Sequence, residues 1–140
     1  MNAQSLLKFT TEPLPFAKLL GLELVTITLD RVEAVLRVRE DLCTRPAVLH
    51  GGAVMALADT LGGIGTLANL AEGATTTTIE SKTNFFAAAP VGDTVRAECT
   101  PLHRGRTTMV WQTKVTRSDG RVAALVIQTQ LVIPAPQEPK

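Results

Sequence analysis

The residues best suited to chemistry lie together in the run His50-Gly51-Gly52-Ala53-Val54-Met55-Ala56-Leu57-Ala58-Asp59-Thr60, which continues in small and apolar residues to Ala71. From Gly51 onward Asp59 is the only ionisable residue in it. A carboxylate there must find polar partners, face water or titrate upward, because burying a bare charge is costly. At the head of the run, Gly51 and Gly52 leave backbone N–H groups unshielded where a helix would begin, at the positive end of its dipole. Substitution at an acyl carbon needs donors for a developing oxyanion and a carboxylate that attacks or activates water. Both ingredients are present. Two plainer readings use the same residues: glycines that only let the chain turn into a helix, and a carboxylate bonded for structure alone. His50 either steadies the loop before the helix or assists substrate binding; neither role makes it the base.

Spacing adds a constraint. Asp59 follows Gly51 by eight residues, roughly 12 Å along a helix rising 1.5 Å per residue. The oxyanion donors and the attacking group should each lie about 3 Å from the reacting centre. One straight helix hardly supplies both to the same carbon. Two antiparallel copies side by side do, with Gly51 of one chain facing Asp59 of the other, so the spacing favours a dimer.

The run reads as a helix of about five turns with Val54, Leu57, Leu61, Ile64 and Ala68 as its main apolar stripe and Ala, Met, Gly and Leu on the other faces. A helix apolar nearly all round is a buried one. Gly62, Gly63 and Gly65 each cost about 0.5–1 kcal/mol relative to Ala there, which predicts another element packed close to them. Upstream, residues 1–12 read as weakly structured, and Pro13 to Leu20 as a short helix stopped by Gly21. Leu22 to Leu29 and Val32 to Val38 read as strands, the second with Val32, Ala34, Leu36 and Val38 on one face. Residues 40–49 form a loop containing Pro46. Downstream, strands are predicted over Thr75–Phe86, Thr94–Leu102, Thr107–Thr116 and Val122–Ile133, with Ser118-Asp119-Gly120 as a hairpin turn. The tail from Pro134 to Lys140 reads as disordered. The fold class is α+β: one domain over residues 1–140, its core about 13–133, with a long central helix wrapped by a curved antiparallel β-sheet.

Composition narrows the function. A net charge of +1 over 140 residues gives no global field for nucleic acid or acidic membranes. Cys43 and Cys99 lack metal-ligand spacing and read as reduced thiols of a cytoplasmic protein. The N-terminus shows neither a basic segment nor a long apolar one, so no signal peptide is read. The apolar run is long enough to span a bilayer, but Asp59, the glycines and the strand-like alternation on both sides argue against it. Neither a metal nor a membrane is expected.

From His50-Gly51-Gly52 through Asp59 the chain resembles the hotdog-fold thioesterases, in the branch of the phenylacetate-pathway and Arthrobacter-type 4-hydroxybenzoyl-CoA thioesterases. The pattern is HGG-x6-[DE], here HGGAVMALADT, followed by a Gly/Ala-rich helix. The resemblance continues through the stretch TTTTIESKTNFFAAAPVGDTVRAECTPLHRGRTTMVWQTKVTRSDGRVAALVIQTQLV and covers about residues 15–133. It implies dimers with a continuous sheet, often tetramers, and hydrolysis of acyl-CoA thioesters with no cofactor beyond the coenzyme A of the substrate. Active sites of this family lie at the dimer interface. Gly51 matches the residue whose N–H polarises the thioester carbonyl, Asp59 the catalytic carboxylate acting as nucleophile or general base, and His50 and Gly52 their neighbours at the helix start. Thr44 stands where relatives often carry Gln or Asn, a departure that shortens the side chain. Thr77 or Thr78 matches a Ser/Thr near the catalytic water. His103-Arg104-Gly105-Arg106 resembles the turn that meets the CoA nucleotide, and the arginine fork suits phosphate; solvated arginines on a hairpin are the plainer alternative. Lys82 and Arg117 are weaker candidates, and Phe85, Phe86 and Leu61 are candidates for the acyl pocket. Two competing functions remain. Hydration or dehydration of an acyl thioester needs a His with a partner acid, which His50 and Asp59 do not obviously supply. A non-catalytic acyl-CoA binding module would have no need of Asp59.

Overall fold

Alternation of apolar and polar residues in Val32–Val38 and β-branched residues in the later segments make the strands, and one long apolar segment makes the element they cover. A computed structural model describes residues 3–136; the expected disorder of the tail falls in part on residues 137–140, outside the described residues. In chain order the elements are helices α1 (Ala3–Thr11) and α2 (Pro15–Leu20), strands β1 (Glu23–Ile27) and β2 (Val32–Arg37), a 3-10 turn (Glu40–Leu42), the short strands β3 (Cys43–Thr44) and β4 (Val48–Leu49), helix α3 (Gly51–Asn69), and strands β5 (Thr75–Phe85), β6 (Thr94–Arg104), β7 (Thr108–Thr116) and β8 (Val122–Ile133). Six strands form one antiparallel sheet in the order β1-β2-β6-β7-β8-β5, and α3 packs on one face. This is the hotdog arrangement.

Alternate residues of each strand face the helix. Val32, Ala34 and Leu36 of β2, Val95, Ala97 and Cys99 of β6, Trp111 and Val115 of β7, and Ala124 of β8 join Leu57, Leu61 and Ile64 of α3 in one core, and Val126 of β8 is buried too. The close approach expected at the glycines occurs at two of the three. A Cβ on Gly65 would lie 2.9 Å from the Trp111 ring, whose Nε1 donates to Thr66 Oγ1 at 2.8 Å. A Cβ on Gly62 would lie 2.4 Å from the Gln128 amide. Gly63 departs from the expectation, since no atom lies within 4 Å of its would-be Cβ. It sits on the open side of the helix. The hydropathy and length of α3 match a membrane span, yet it is the core helix of this sheet.

Three segments differ from the sequence reading. Residues 3–11 are helical because Phe9 finds core to pack against, as does Leu24 of β1. The 40–49 loop contains the β3–β4 hairpin, which turns through Arg45, Pro46 and Ala47 and carries Ala47 at φ 86. Strand β6 runs on to Arg104, through a bulge after Pro101. The β1–β2 turn, which lacks glycine, is closed instead by Thr28, whose N–H and hydroxyl both donate to Arg31 O at 2.8 and 3.2 Å.

On the outer face of the sheet, Glu33 is buried at 3% exposure and accepts from Arg96 at 2.9 Å, with Arg31 at 3.6 Å. Burial opposes its charge, but hydrogen bonds from Arg96 and Thr26 and the two guanidinium charges outweigh it and hold the carboxyl below the usual range. Asp93, in the turn before β6, is also held low, first by the Ser118 hydroxyl. Burial pushes the Cys99 thiol up to about 12.

Candidate active site

The start of α3 is built by the chain that enters it. Strand β4 pairs with β3, His50 N–H donates to Leu42 O at 2.9 Å, and His50 then caps the helix. Its Nδ1 accepts from the Gly52 N–H at 2.8 Å, so a neutral ring carries its proton on Nε2. With Nδ1 so engaged, His50 is a capping residue. Ala53 and Val54 N–H donate back to His50 O. The Gly51 N–H has no hydrogen-bond partner among the described residues, so it is the unoccupied donor at the positive helix end. A Phe85 ring atom lies 3.1 Å from where a Gly51 Cβ would sit, so any larger residue would have to move that ring. Thr44 is exposed on the adjoining hairpin and lines a hollow with Glu40, Cys43, Arg45 and Ala47.

Two turns further on, Asp59 takes the first two of the three courses open to a carboxylate in an apolar run. It is exposed on the open side of α3 and it has polar partners. Thr78 Oγ1 donates to Asp59 Oδ1 at 2.6 Å, and Gln128 Nε2 donates to the same oxygen at 3.2 Å. Both donors hold Oδ1. The second oxygen, Oδ2, receives no hydrogen bond among the described residues. Of the two threonines that the sequence left open, Thr78 is the one at the carboxylate. Thr77 is exposed, on the opposite face of β5.

Behind this pair lies a polar layer. Gln130 Nε2 donates to Thr78 Oγ1 at 2.7 Å, and Thr76 Oγ1 donates to Gln130 Oε1 at 3.0 Å. Gln128 and Gln130 are each 1% exposed, on the helix-facing side of β8. The sequence reading overlooked both. The available signal was polar residues at alternate positions of VAALVIQTQLVI, in register with the inward-facing Ala124 and Val126.

The fold brings together His50, Gly51, Gly52 and the Thr44 hairpin at one end of α3, and Asp59 with Thr78 near its middle. Arg104 and Gly105 lie at the other end. Arg104 pairs with Asp30 at 2.8 Å and donates to Leu29 O and to Asn69 Oδ1, Asn69 being the last residue of α3. Its guanidinium thus ties the β1–β2 turn to the helix end. Gly105 is held close, with its N–H donating to Thr108 O at 2.8 Å, and Arg106 is exposed. Lys82 points out of the edge strand, and Arg117 binds Ala88 O and Asp119. Leu61 is fully buried, whereas Phe85 and Phe86 are more than half exposed. With Val48, Val54 and Ala87 to Ala89, the two phenylalanines line an apolar hollow of about 310 Å³ beside Gly51. No group of three or more His, Cys, Asp or Glu among the described residues could hold a metal ion.

The pattern of the thioesterase superfamily matches residues 47–124, more than half of the chain, from the end of the β3–β4 turn to the first residues of β8. The chain belongs to the thioesterase superfamily. A Haemophilus influenzae protein named an esterase is 31% identical over 114 residues, 81% of this chain and 82% of that one. A proofreading thioesterase of Cronobacter turicensis is 32% identical over 102 residues, 73% of this chain and 74% of its own. Among solved structures, a Haemophilus influenzae thioesterase superposes with a TM-score of 0.85 at 26% identity, covering 99% of this chain and 94% of the other. This thioesterase-superfamily chain is therefore a thioester hydrolase with a hotdog fold, and Asp59, Thr78 and the Gly51 N–H lie within the matched segment.

Proposed function

We propose that this thioesterase hydrolyses acyl-CoA thioesters in the cytoplasm, at sites shared between two copies of the chain, and needs no cofactor beyond the coenzyme A of its substrate. One observation carries the reading. Asp59 has one oxygen fixed by Thr78 and Gln128 and the other facing the open side of α3, about 12 Å of helix away from the free Gly51 N–H. In an antiparallel pair of α3 helices, the Gly51 N–H of one chain receives the thioester carbonyl oxygen and Asp59 of the other faces the carbonyl carbon.

Charge then develops on an oxygen already aimed at a helix N-terminus. Asp59 Oδ2 either bonds to the carbonyl carbon itself, giving a mixed anhydride that water cleaves, or takes a proton from an attacking water. In both routes the C–S bond breaks, and a proton from the consumed water ends on the departing thiolate. Thr78 and Gln128 keep Oδ2 as the reactive oxygen by holding Oδ1.

The shared site is supported by what the single chain leaves uncovered. Met55 at 40%, Ile79 at 56% and Phe85 at 54% exposure flank Asp59 and the β5 edge, and β5 is a terminal strand of the sheet. A two-fold copy would pair the β5 edges and cover these side chains, giving a homodimer that can assemble further into a tetramer. In this arrangement the β6–β7 turn of one chain approaches the Gly51 end of the other, and Arg106 supplies the exposed guanidinium for the CoA phosphates. Thr44 borders the same end, with a hydroxyl where a longer amide would reach further. The hollow beside Gly51 takes the apolar part of the substrate.

The test is thiol release from a panel of aryl- and fatty-acyl-CoAs, repeated with Asp59→Asn. Release by the wild type and its near-abolition in the variant are expected. No release from any member of the panel would remove the thioesterase reading, and undiminished release by the variant would remove Asp59 from the mechanism.

A further inference from the structure

We propose that Gln130, which is too deeply buried to touch substrate, is a positioning residue that fixes the direction of the Thr78 hydroxyl and so the orientation of Asp59. This role rests on the reading of Asp59 as the reactive carboxylate.

A threonine hydroxyl has one proton and two acceptor lone pairs. At Thr78 it has two polar neighbours, Asp59 Oδ1 at 2.6 Å and the Gln130 amide at 2.7 Å. A carboxylate only accepts, so Thr78 can donate to Asp59 only if Gln130 offers its nitrogen. Were the amide reversed, its oxygen would face Thr78 at this distance and compete for the same proton.

At the other end of the amide, Thr76 Oγ1 lies 3.0 Å from Gln130 Oε1 and 2.8 Å from Leu131 O, so its one proton is divided between two neutral acceptors. Dividing a proton there costs less than drawing one away from the charged Asp59, and this keeps the amide nitrogen toward Thr78. The donors therefore run in one direction, from Thr76 to Gln130 to Thr78 to Asp59 Oδ1. Strand register keeps them aligned, because Thr78 and Gln130 are direct cross-strand partners and Thr76 lies two residues before Thr78 on the same face. At 1% exposure, Gln130 has no water to take over if its amide is lost. Thr78 would then have Asp59 as its one polar partner, with no donor on its lone pairs to polarise the hydroxyl or hold its rotamer, and its bond to Asp59 Oδ1 would weaken.

A double-mutant cycle separates this role from a general packing role. Wild type, Gln130→Met, Thr78→Val and the double variant are compared for kcat and KM on the best acyl-CoA of the panel. Gln130→Met should lower kcat about tenfold with KM unchanged, and should add nothing once Thr78 is Val. Gln130→Glu provides a second variant of similar shape. Burial raises its titration, and at pH above that value its carboxylate can only accept, so there it should draw the Thr78 proton away from Asp59 and lower kcat as far as Thr78→Val does. Equal losses from Gln130→Met in both backgrounds, or no loss in either, would overturn the role. No turnover by the wild type would overturn both this role and the proposed reaction. Turnover with an additive cycle would overturn the Gln130 role alone.

Discussion

Thr78 Oγ1 lies 2.6 Å from Asp59 Oδ1, joining the edge strand β5 to the open side of the central helix. The bond fixes the carboxylate from the sheet side and leaves its other oxygen outward. Hydrogen bonds to charged groups are worth about 1.5–3 kcal/mol, and 1.4 kcal/mol is about tenfold in rate. Thr78→Val should therefore lower kcat by about tenfold to a hundredfold on that scale, Thr78→Ser should restore most of the loss, and Thr77→Val should leave kcat within about twofold of wild type. Equal effects at positions 77 and 78 would show that the hydroxyl at Asp59 is not what matters.

The glycines of α3 should separate by what faces them. Gly65→Ala drives a methyl into the rigid Trp111 ring and should destabilise by about 1–3 kcal/mol, as overpacking does. Gly63→Ala meets nothing within its own chain and should stabilise the folded chain by about 0.5–1 kcal/mol through helix propensity. Denaturant midpoints of the two variants provide the check. A destabilised Gly63→Ala chain, read at a concentration where only monomers are present, would contradict this sorting.

Acid should weaken the fold through Glu33. Its folded carboxyl titrates below the ordinary range, so the unfolded chain binds the proton more readily. The stabilisation is complete above the unfolded value of about 4.3 and is lost as pH falls through the lower folded value. Asp93 acts in the same sense. Glu33→Gln should cost about 1–3 kcal/mol near neutrality and flatten the fall in stability below about pH 5, measured by urea unfolding across pH. An unchanged acid slope in this variant would exclude Glu33 as its source.

Much of this fold was legible because it rests on periodicity. Alternation gave the strand Val32–Val38, β-branched threonines and turn residues such as Ser118-Asp119-Gly120 gave the later ones, and a helix apolar on nearly every face had to be the one the sheet covers. His50, Gly51 and Asp59 stood out for a related reason, being polar or bare positions in an apolar segment. What escaped depended on contacts between distant residues. Gln128 and Gln130 acquire meaning only when β8 is placed beside β5, and Arg104 only when its turn meets Asn69 and Asp30. Thr77 and Thr78 differ by one position, and only the strand register says which faces the helix. Helix α1 has weak intrinsic signals and forms where Phe9 finds the core. Ala47 adopts φ 86 with no glycine to announce the turn.

In a shared site Gly51 and Asp59 act from different chains, and mixing two inactive variants measures that. Asp59→Asn removes the carboxylate, and Gly51→Pro removes the N–H donor. Proline is suited to the first helical position, His50 already has the extended backbone, φ −63 and ψ 137, that a following proline requires, and the half-exposed Phe85 ring must give by a few tenths of an ångström to admit it. Each variant alone should release almost no thiol from acyl-CoA. Dissociated, mixed and reassociated, they should recover about a quarter of wild-type activity, since half of randomly formed dimers are mixed and each of these holds one intact site. A mixture no more active than its separate components would contradict a site shared between two chains.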